Sequence, residues 1–284
     1  MRKALVGLGL LVLLGQGTAA QAAGNNAMAG PSASMTTTDM ALGGGSGLDL
    51  KLYSGVDYSF LGDFVNGTKA FAQYLTDSGG EATAWTGNWG WVSGLDLGLS
   101  LDPSDRISVG FESVLTRSQN ISGTDGSAGV GGSDTPQMFN ATLNYGLSIP
   151  EGKGTRTFFT VGAGYYHAFL DYNLGVAAQD TYGTFTGDTV GGTLGVGQEW
   201  SVGGGFDLSF SAKGRYAVFD KLTATSFNDA NNPTPYALAM ISIPGEPDIL
   251  LPQATSNIDA NSTMRYAKLD YCGVDATVSM SYHF

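Results

Sequence analysis

From Leu48 to the C-terminus the chain alternates between apolar and small or polar residues with a period of two. In the first such run Leu48, Leu50, Leu52, Val56, Tyr58 and Phe60 share one parity, and Asp49, Lys51, Tyr53, Gly55, Asp57 and Ser59 the other. Successive side chains of an extended strand point to opposite sides, so this parity split predicts a strand with two unlike faces. The pattern returns over 95–101, 107–115, 139–149, less regularly over about 156–172, and then over 190–202, 206–218 and 274–284. Eight strands are therefore expected.

The second face decides the architecture. It carries Asp, Lys, Glu, Arg, Gly and Ser, and such a mixture makes a poor dry core because unpaired polar groups cost free energy when buried. A soluble sandwich or barrel would need that face inside. Turned the other way, the strands put Leu, Phe and Val into lipid and the polar groups into a lumen. Lipid satisfies no backbone hydrogen bonds, so the sheet must close on itself. Composition agrees: only 13% of residues are charged, against 43 glycines and 27 Phe and Tyr, which suits thin strands with aromatic girdles.

Connection lengths test this independently. Tight turns are expected at 102–105, 150–154 and about 203–204, and long connections over 61–90, 119–136, 173–187 and 219–264. Short and long alternate, as short periplasmic turns and long external loops do. The expected fold is all-β: a closed eight-stranded antiparallel up-and-down transmembrane β-barrel over 48–284, with both chain ends in the periplasm of a Gram-negative cell.

Residues 1–22 read as a signal peptide. Arg2 and Lys3 precede an apolar run from Ala4 to Leu14 that is too short to span a bilayer, and Ala20-Gln21-Ala22 fits a small-x-small cleavage site. Residues 23–47, rich in Gly, Ala, Ser and Thr, read as a flexible periplasmic segment. Without Arg2 and Lys3, 11 Lys and Arg face 25 Asp and Glu, a net charge of −14, which argues against nucleic acid or anionic lipid as a charge-matched partner. The sole cysteine, Cys272, has no partner for an internal disulfide.

The final strand ends in Tyr282-His283-Phe284. With the alternation and the signal peptide, this resembles the small outer-membrane barrels of the OmpA, OmpX and OmpW kind over about 48–284. The resemblance implies that Phe284, Tyr282 and Met280 form the assembly signal read by the barrel-insertion machinery. Many such proteins carry a glycine near this end, where this chain has Ser279. The resemblance also implies outer-membrane lipid and lipopolysaccharide as surroundings; the OmpA-type wall anchor is not expected, because no peptidoglycan-binding domain follows the barrel.

Candidates for chemistry are few. His167 lacks the His-x-Ser pattern of membrane hydrolases, because position 169 is Phe, and there is no Asp-x-His. Acidic loop residues Asp220, Asp229, Glu246, Asp248 and Asp259 lack calcium-loop spacing. No enzyme, cofactor or metal is expected. Lys213 and Arg215 fall about as deep as Asp275 and Asp57, with Asp96 and Glu112 on the neighbouring hairpin. A lumen charge network of these six is expected, the two bases bridging Asp275 and Asp57 while Asp96 and Glu112 are hydrated or partly protonated. The expected function is structural or porin-like passage of small solutes through a narrow, acid-rich lumen. The alternative is surface recognition of an extracellular ligand through the long loops. Those loops hold Trp85, Trp89 and Trp91, readable as a girdle or a platform, and an apolar stretch over 236–251.

Overall fold

The computed structural model describes residues 47–125, 128–152, 154–176, 179–228 and 235–284. The expected signal peptide over 1–22 and most of the expected periplasmic segment lie outside the described residues.

Eight strands pair in a ring. They are β1 (Leu48–Ser59), β3 (Trp89–Ser100), β4 (Asp105–Thr116), β6 (Ala128–Gly152), β7 (Thr155–Val176), β8 (Gln179–Gly203), β9 (Phe206–Tyr216) and β16 (Gly273–His283). Each pairs antiparallel with the next in that order, and β16 returns to β1, with Leu50 opposite Tyr282 and Val56 opposite Ala276. The eight are those the alternation marks.

The parity split has the expected sense. Leu52, Leu97, Val109, Leu143, Val161, Leu194, Phe210 and Val278, one from each strand, are exposed on the outside. Asp49, Asp57, Glu112, Arg215 and Asp275 are buried inside. Glycine on the inner parity makes room in so narrow a ring. A Cβ on Gly94 would stand 2.4 Å from the Tyr53 ring, and one on Gly110 2.3 Å from an Asp96 carboxylate oxygen.

The three short turns lie at one end of the ring. In the first, Asp102 Oδ1 accepts from the backbone N–H groups of Ser104 (2.7 Å) and Asp105 (2.8 Å). In the third, Gly203, Gly204 and Gly205 all have positive φ (91°, 66° and 81°), a conformation that favours glycine.

At the other end the structure replaces the expected open loops with folded elements. Strands β6, β7 and β8 run on for 25, 22 and 25 residues, against 11 or 12 for the other five. The span expected as a loop over 173–187 is thus mostly the continuation of the β7–β8 hairpin. The first long connection contains α1 (Gly62–Asp77) and β2 (Ala82–Trp85), and the second contains β5 (Gln119–Asp125), paired with β2 and β6. The last contains β10 (Val218–Phe219), β11 (Thr223–Phe227), β12 (Tyr236–Ile241), β13 (Ile249–Ala254), α2 (Thr255–Ala260), β14 (Met264–Tyr266) and β15 (Leu269–Asp270).

These elements form a cap with its own apolar core. Phe64, Val65 and Leu75 of α1 pack with Leu238, Met240 and Leu250 of the last connection and with Leu170, Tyr172 and Phe185 of the extended strands. The apolar stretch over 236–251 thus acquires a partner, as burial of that much hydrophobic surface requires. Gly67 faces Leu250 so closely that a Cβ there would lie 2.6 Å away. Asp63 in the first turn of α1 pairs with Arg265 of β14, Nη2 to Oδ1 at 3.0 Å, and accepts from the Lys268 backbone N–H at 2.9 Å. Burial opposes ionisation of Asp63, but these bonds outweigh it and hold its carboxyl below the usual carboxylate range.

Candidate functional site

The inner face of the ring is built in three levels. The deepest is a charge network reaching across the ring. Arg215 on β9 is fully buried. Its Nη2 donates to Asp57 Oδ1 on β1 (2.6 Å) and to Ser59 Oγ (3.1 Å), and its Nε to the Tyr271 carbonyl (3.0 Å). Its Nη1 reaches Glu112 Oε1 on β4 (3.3 Å) and Asp275 Oδ2 on β16 (3.5 Å). Lys213, two residues earlier on the same face, pairs with Glu112 and lies 3.6 Å from Asp275 Oδ2. Glu112 also accepts from Asn140 Nδ2 (3.0 Å) and Tyr53 Oη (3.2 Å).

Five of the six residues named from the sequence meet here. Arg215 bridges Asp57 and also Asp275, while Lys213 is nearer to Glu112 than to Asp275. Glu112 is a correction to the expected pairing: it is the hub that both bases share, because β4 faces β9 across the ring and a long side chain spans that gap. Asp96 stands apart. It is half-buried on the wall of the interior cavity, and no salt bridge to it occurs among the described residues. Asp275 Oδ1 is buried with no hydrogen-bond partner among the described residues.

The second level is that cavity, about 90 Å³, lined by Asp49, Lys51, Asp96, Asn144, Thr160 and Lys213 among others and reaching toward the short turns. It has room for several waters with polar partners on every side. At its outer rim lies a second charge cluster. Arg106 forks onto Asp49, with Nε at 2.9 and 3.0 Å from the two oxygens. Arg156 donates from Nε to Glu199 (2.6 Å) and from Nη2 to Asp207 (3.3 Å), and His283 Nε2 lies 2.7 Å from Asp207. Ligand atoms of Glu199, Asp207 and His283 lie within 4.8 Å of one another, but the Arg156 guanidinium already bridges both carboxylates. These residues were missed as a group in the sequence, although each is a charged residue on the inner parity and that signal was available.

The third level closes the ring toward the cap. Val92, Val114, Met138 and Ala168 are register partners on four successive strands, all fully buried. Tyr271 and Ala217 join the same apolar core. The inner face therefore changes from polar to apolar along single strands, as from Asn140 to Met138 on β6. The sequence carries this signal in the identities of the inner-parity residues.

The outer surface holds the other candidates. Met280, Tyr282 and Phe284 face outward, and Tyr282 contacts Phe206 (centroids 4.7 Å) and Phe284 (5.0 Å). Trp85, Trp89 and Trp91 are exposed at the cap end, Trp89 edge-on to Tyr58 at 5.1 Å. His167 Nδ1 lies 2.5 Å from Asp188 Oδ1, an oxygen that also accepts from Tyr165.

No protein-family model matches the chain, and no curated protein matches it. Solved structures similar in outline include three outer-membrane proteins. The outer membrane protein OprG from Pseudomonas aeruginosa matches at 9% identity over 85% of this chain and 98% of its own, with a TM-score of 0.43. The outer membrane protein AlkL, determined in DMPC bilayers, matches at 14% identity over 92% and 96%, with a TM-score of 0.32. The outer membrane protease OmpT from Escherichia coli matches at 9% identity over 84% and 94%, with a TM-score of 0.33. At these identities and TM-scores the functional reading rests on this chain's own geometry.

Proposed function

We propose that the chain is an outer-membrane protein whose ring is a closed eight-stranded transmembrane β-barrel, oriented with its short turns and both ends in the periplasm and its cap outside. The observation that carries this reading is the inverted distribution of polarity: exposed Leu, Val and Phe on every strand around buried Arg215, Asp57, Glu112 and Asp275. Strand length supports it. Twelve residues rise about 40 Å, and a barrel tilt of about 40° reduces that to about 30 Å, the thickness of a bilayer's hydrocarbon core.

The interior supports a narrow, water-filled vestibule open toward the periplasm rather than a permanently open pore. The apolar layer at Val92, Val114 and Met138 and the cap above it leave the resting barrel shut on the outer side. Solute passage then requires the cap to move. Asp49, Asp57, Asp96, Glu112, Glu199, Asp207 and Asp275 outnumber Lys51, Arg106, Arg156, Lys213 and Arg215, so such openings should favour cations. The folded cap also favours a second reading, recognition of an extracellular ligand by a surface held in one shape.

The test is electrophoresis and planar-bilayer recording on protein purified from membranes. Unheated protein should migrate differently from boiled protein in SDS, and the bilayer should show rare, small, cation-preferring openings. Identical migration without a β circular dichroism signal contradicts the barrel. A wide, steady, anion-selective conductance contradicts the shut interior.

A further inference from the structure

Among the described residues three buried side-chain oxygens have no hydrogen-bond partner, and two of them, Asp275 Oδ1 and Tyr166 Oη, belong to the charge network or border it. Asp275 is almost fully buried, and its other oxygen has only long contacts, 3.5 Å to Arg215 Nη1 and 3.6 Å to Lys213 Nζ. Both bases are more closely engaged elsewhere, Lys213 with Glu112 and Arg215 with Asp57. Tyr166 is fully buried on β7. It is the register partner of Asn140, which donates to Glu112.

Charge balance inside the ring singles out the same place. At the rim Asp49 faces Arg106, and Glu199 and Asp207 face Arg156, with His283 as a second, titratable base. Asp96 is the register partner of Lys51. Asp57, Glu112 and Asp275 face only Lys213 and Arg215. One negative charge is left over in the network, and the unpartnered oxygen marks Asp275 as the carboxylate that carries it. A buried charge without a counter-charge is costly. A water molecule would satisfy the oxygen and leave the charge.

We propose that the network binds one alkali-metal cation at Asp275 Oδ1, on the wall of the interior cavity. Asp275 lines that cavity, as do Asn140, Thr142, Thr193 and Thr277. Thr277 is two residues along on the same face of β16, and Thr193 is the register partner of Arg215. These neutral side-chain oxygens and cavity water supply the rest of the oxygen shell that a hard cation takes. Charge fixes the valence. One positive charge cancels the excess, whereas a divalent ion would leave a surplus beside Lys213 and Arg215. Lys213 Nζ approaches the other carboxylate oxygen, which leaves Oδ1 to the ion. The cavity has room for several waters and reaches toward the short turns, so an ion can enter from that end. The site rests on the charges of the interior and not on the ring's spanning a membrane.

The experiment measures thermal unfolding of the purified full-length protein in detergent near neutral pH. Tetramethylammonium chloride, whose cation is too bulky for a close oxygen shell, is replaced stepwise by sodium or potassium chloride at constant ionic strength. Above its dissociation constant, at least one of the two alkali ions should raise the midpoint by about 3–5 °C for each tenfold rise in concentration. Asp275→Asn leaves two acids beside two bases, should fold, and should lose the rise. Asp96→Asn, on the same cavity wall, should keep it. No rise with either ion, an equal rise in Asp275→Asn, or an equal loss in Asp96→Asn overturns the proposal. A midpoint that climbs on acidification and ignores the choice of cation also overturns it, because a proton then supplies the balancing charge.

Discussion

Asn140 and Met138 are two residues apart on β6 and both point into the ring, yet they belong to interiors of opposite kinds. Asn140 helps hold Glu112 between Lys213 and Arg215. Met138 is fully buried in the apolar layer that continues into the cap. The first interior is held by charges that satisfy one another beside a cavity with room for several waters, the second by hydrophobic burial. The difference shows that inner and outer are not synonyms for polar and apolar here. Access to water decides: where the cavity reaches, charges line the wall, and where the cap shuts water out, the same parity turns to Val, Met, Leu and Tyr. Asp134 breaks that rule, as an acid buried within the cap.

The contrast breaks most severely at Arg215. Arg215→Met should cost about 3–5 kcal/mol, because it leaves Asp57, Glu112 and Asp275 buried around a single Lys213. Urea unfolding of protein folded into lipid vesicles measures this, and a cost below about 1 kcal/mol would mean that the network is solvated. In the cap, Leu238→Ala should cost about 3 kcal/mol by leaving a cavity in a packed core, with the same assay as the check. Its effect should fall on the cap, so that protease susceptibility within 236–254 rises while the SDS-resistant ring persists.

Asp134 sharpens the comparison through pH. Its folded pKa, about 8, lies above the ordinary aspartate value, so the folded state holds the proton more tightly than the unfolded state. Stability is therefore lost as pH rises from about 4 toward 8, by about 1.4 kcal/mol per unit. In sodium buffer the wild type should decline relative to Asp134→Asn over that window, and parallel curves for the two proteins would exclude a buried ionisation. Asp96→Asn should change stability least, by about 0.5 kcal/mol or less. Asp96 is half-buried on the cavity wall with no salt bridge to it among the described residues, and a cost near that of Arg215→Met would place it inside the network.

The ring was legible in the sequence because it depends on parity alone. Alternation from Leu48 and the sequence of short and long connections locate all eight strands, and depth counted along them brings Arg215 level with Asp57 and Asp275. The hub role of Glu112 was not legible, because it depends on which strands face each other across the ring and on how far a side chain reaches. The cap was hidden for a related reason. Its core joins Phe64, Leu170 and Leu238 from distant segments, and α1 lies inside a span whose length suggested a loop. The strand extensions of β7 and β8 were concealed by Gly175, Gly183 and Gly187, which weaken the alternation without ending the pairing.

The central claim is that this ring turns its apolar parity to lipid and its polar parity inward. Nitroxide labels placed singly at residues 140–147 of β6, in a Cys272→Ser background and in reconstituted bilayers, test it most directly. The account predicts that labels at 141, 143, 145 and 147 collide readily with oxygen dissolved in the lipid and little with a water-soluble nickel reagent, while labels at 140, 142, 144 and 146 show low access to oxygen. High nickel access at the odd positions would contradict it.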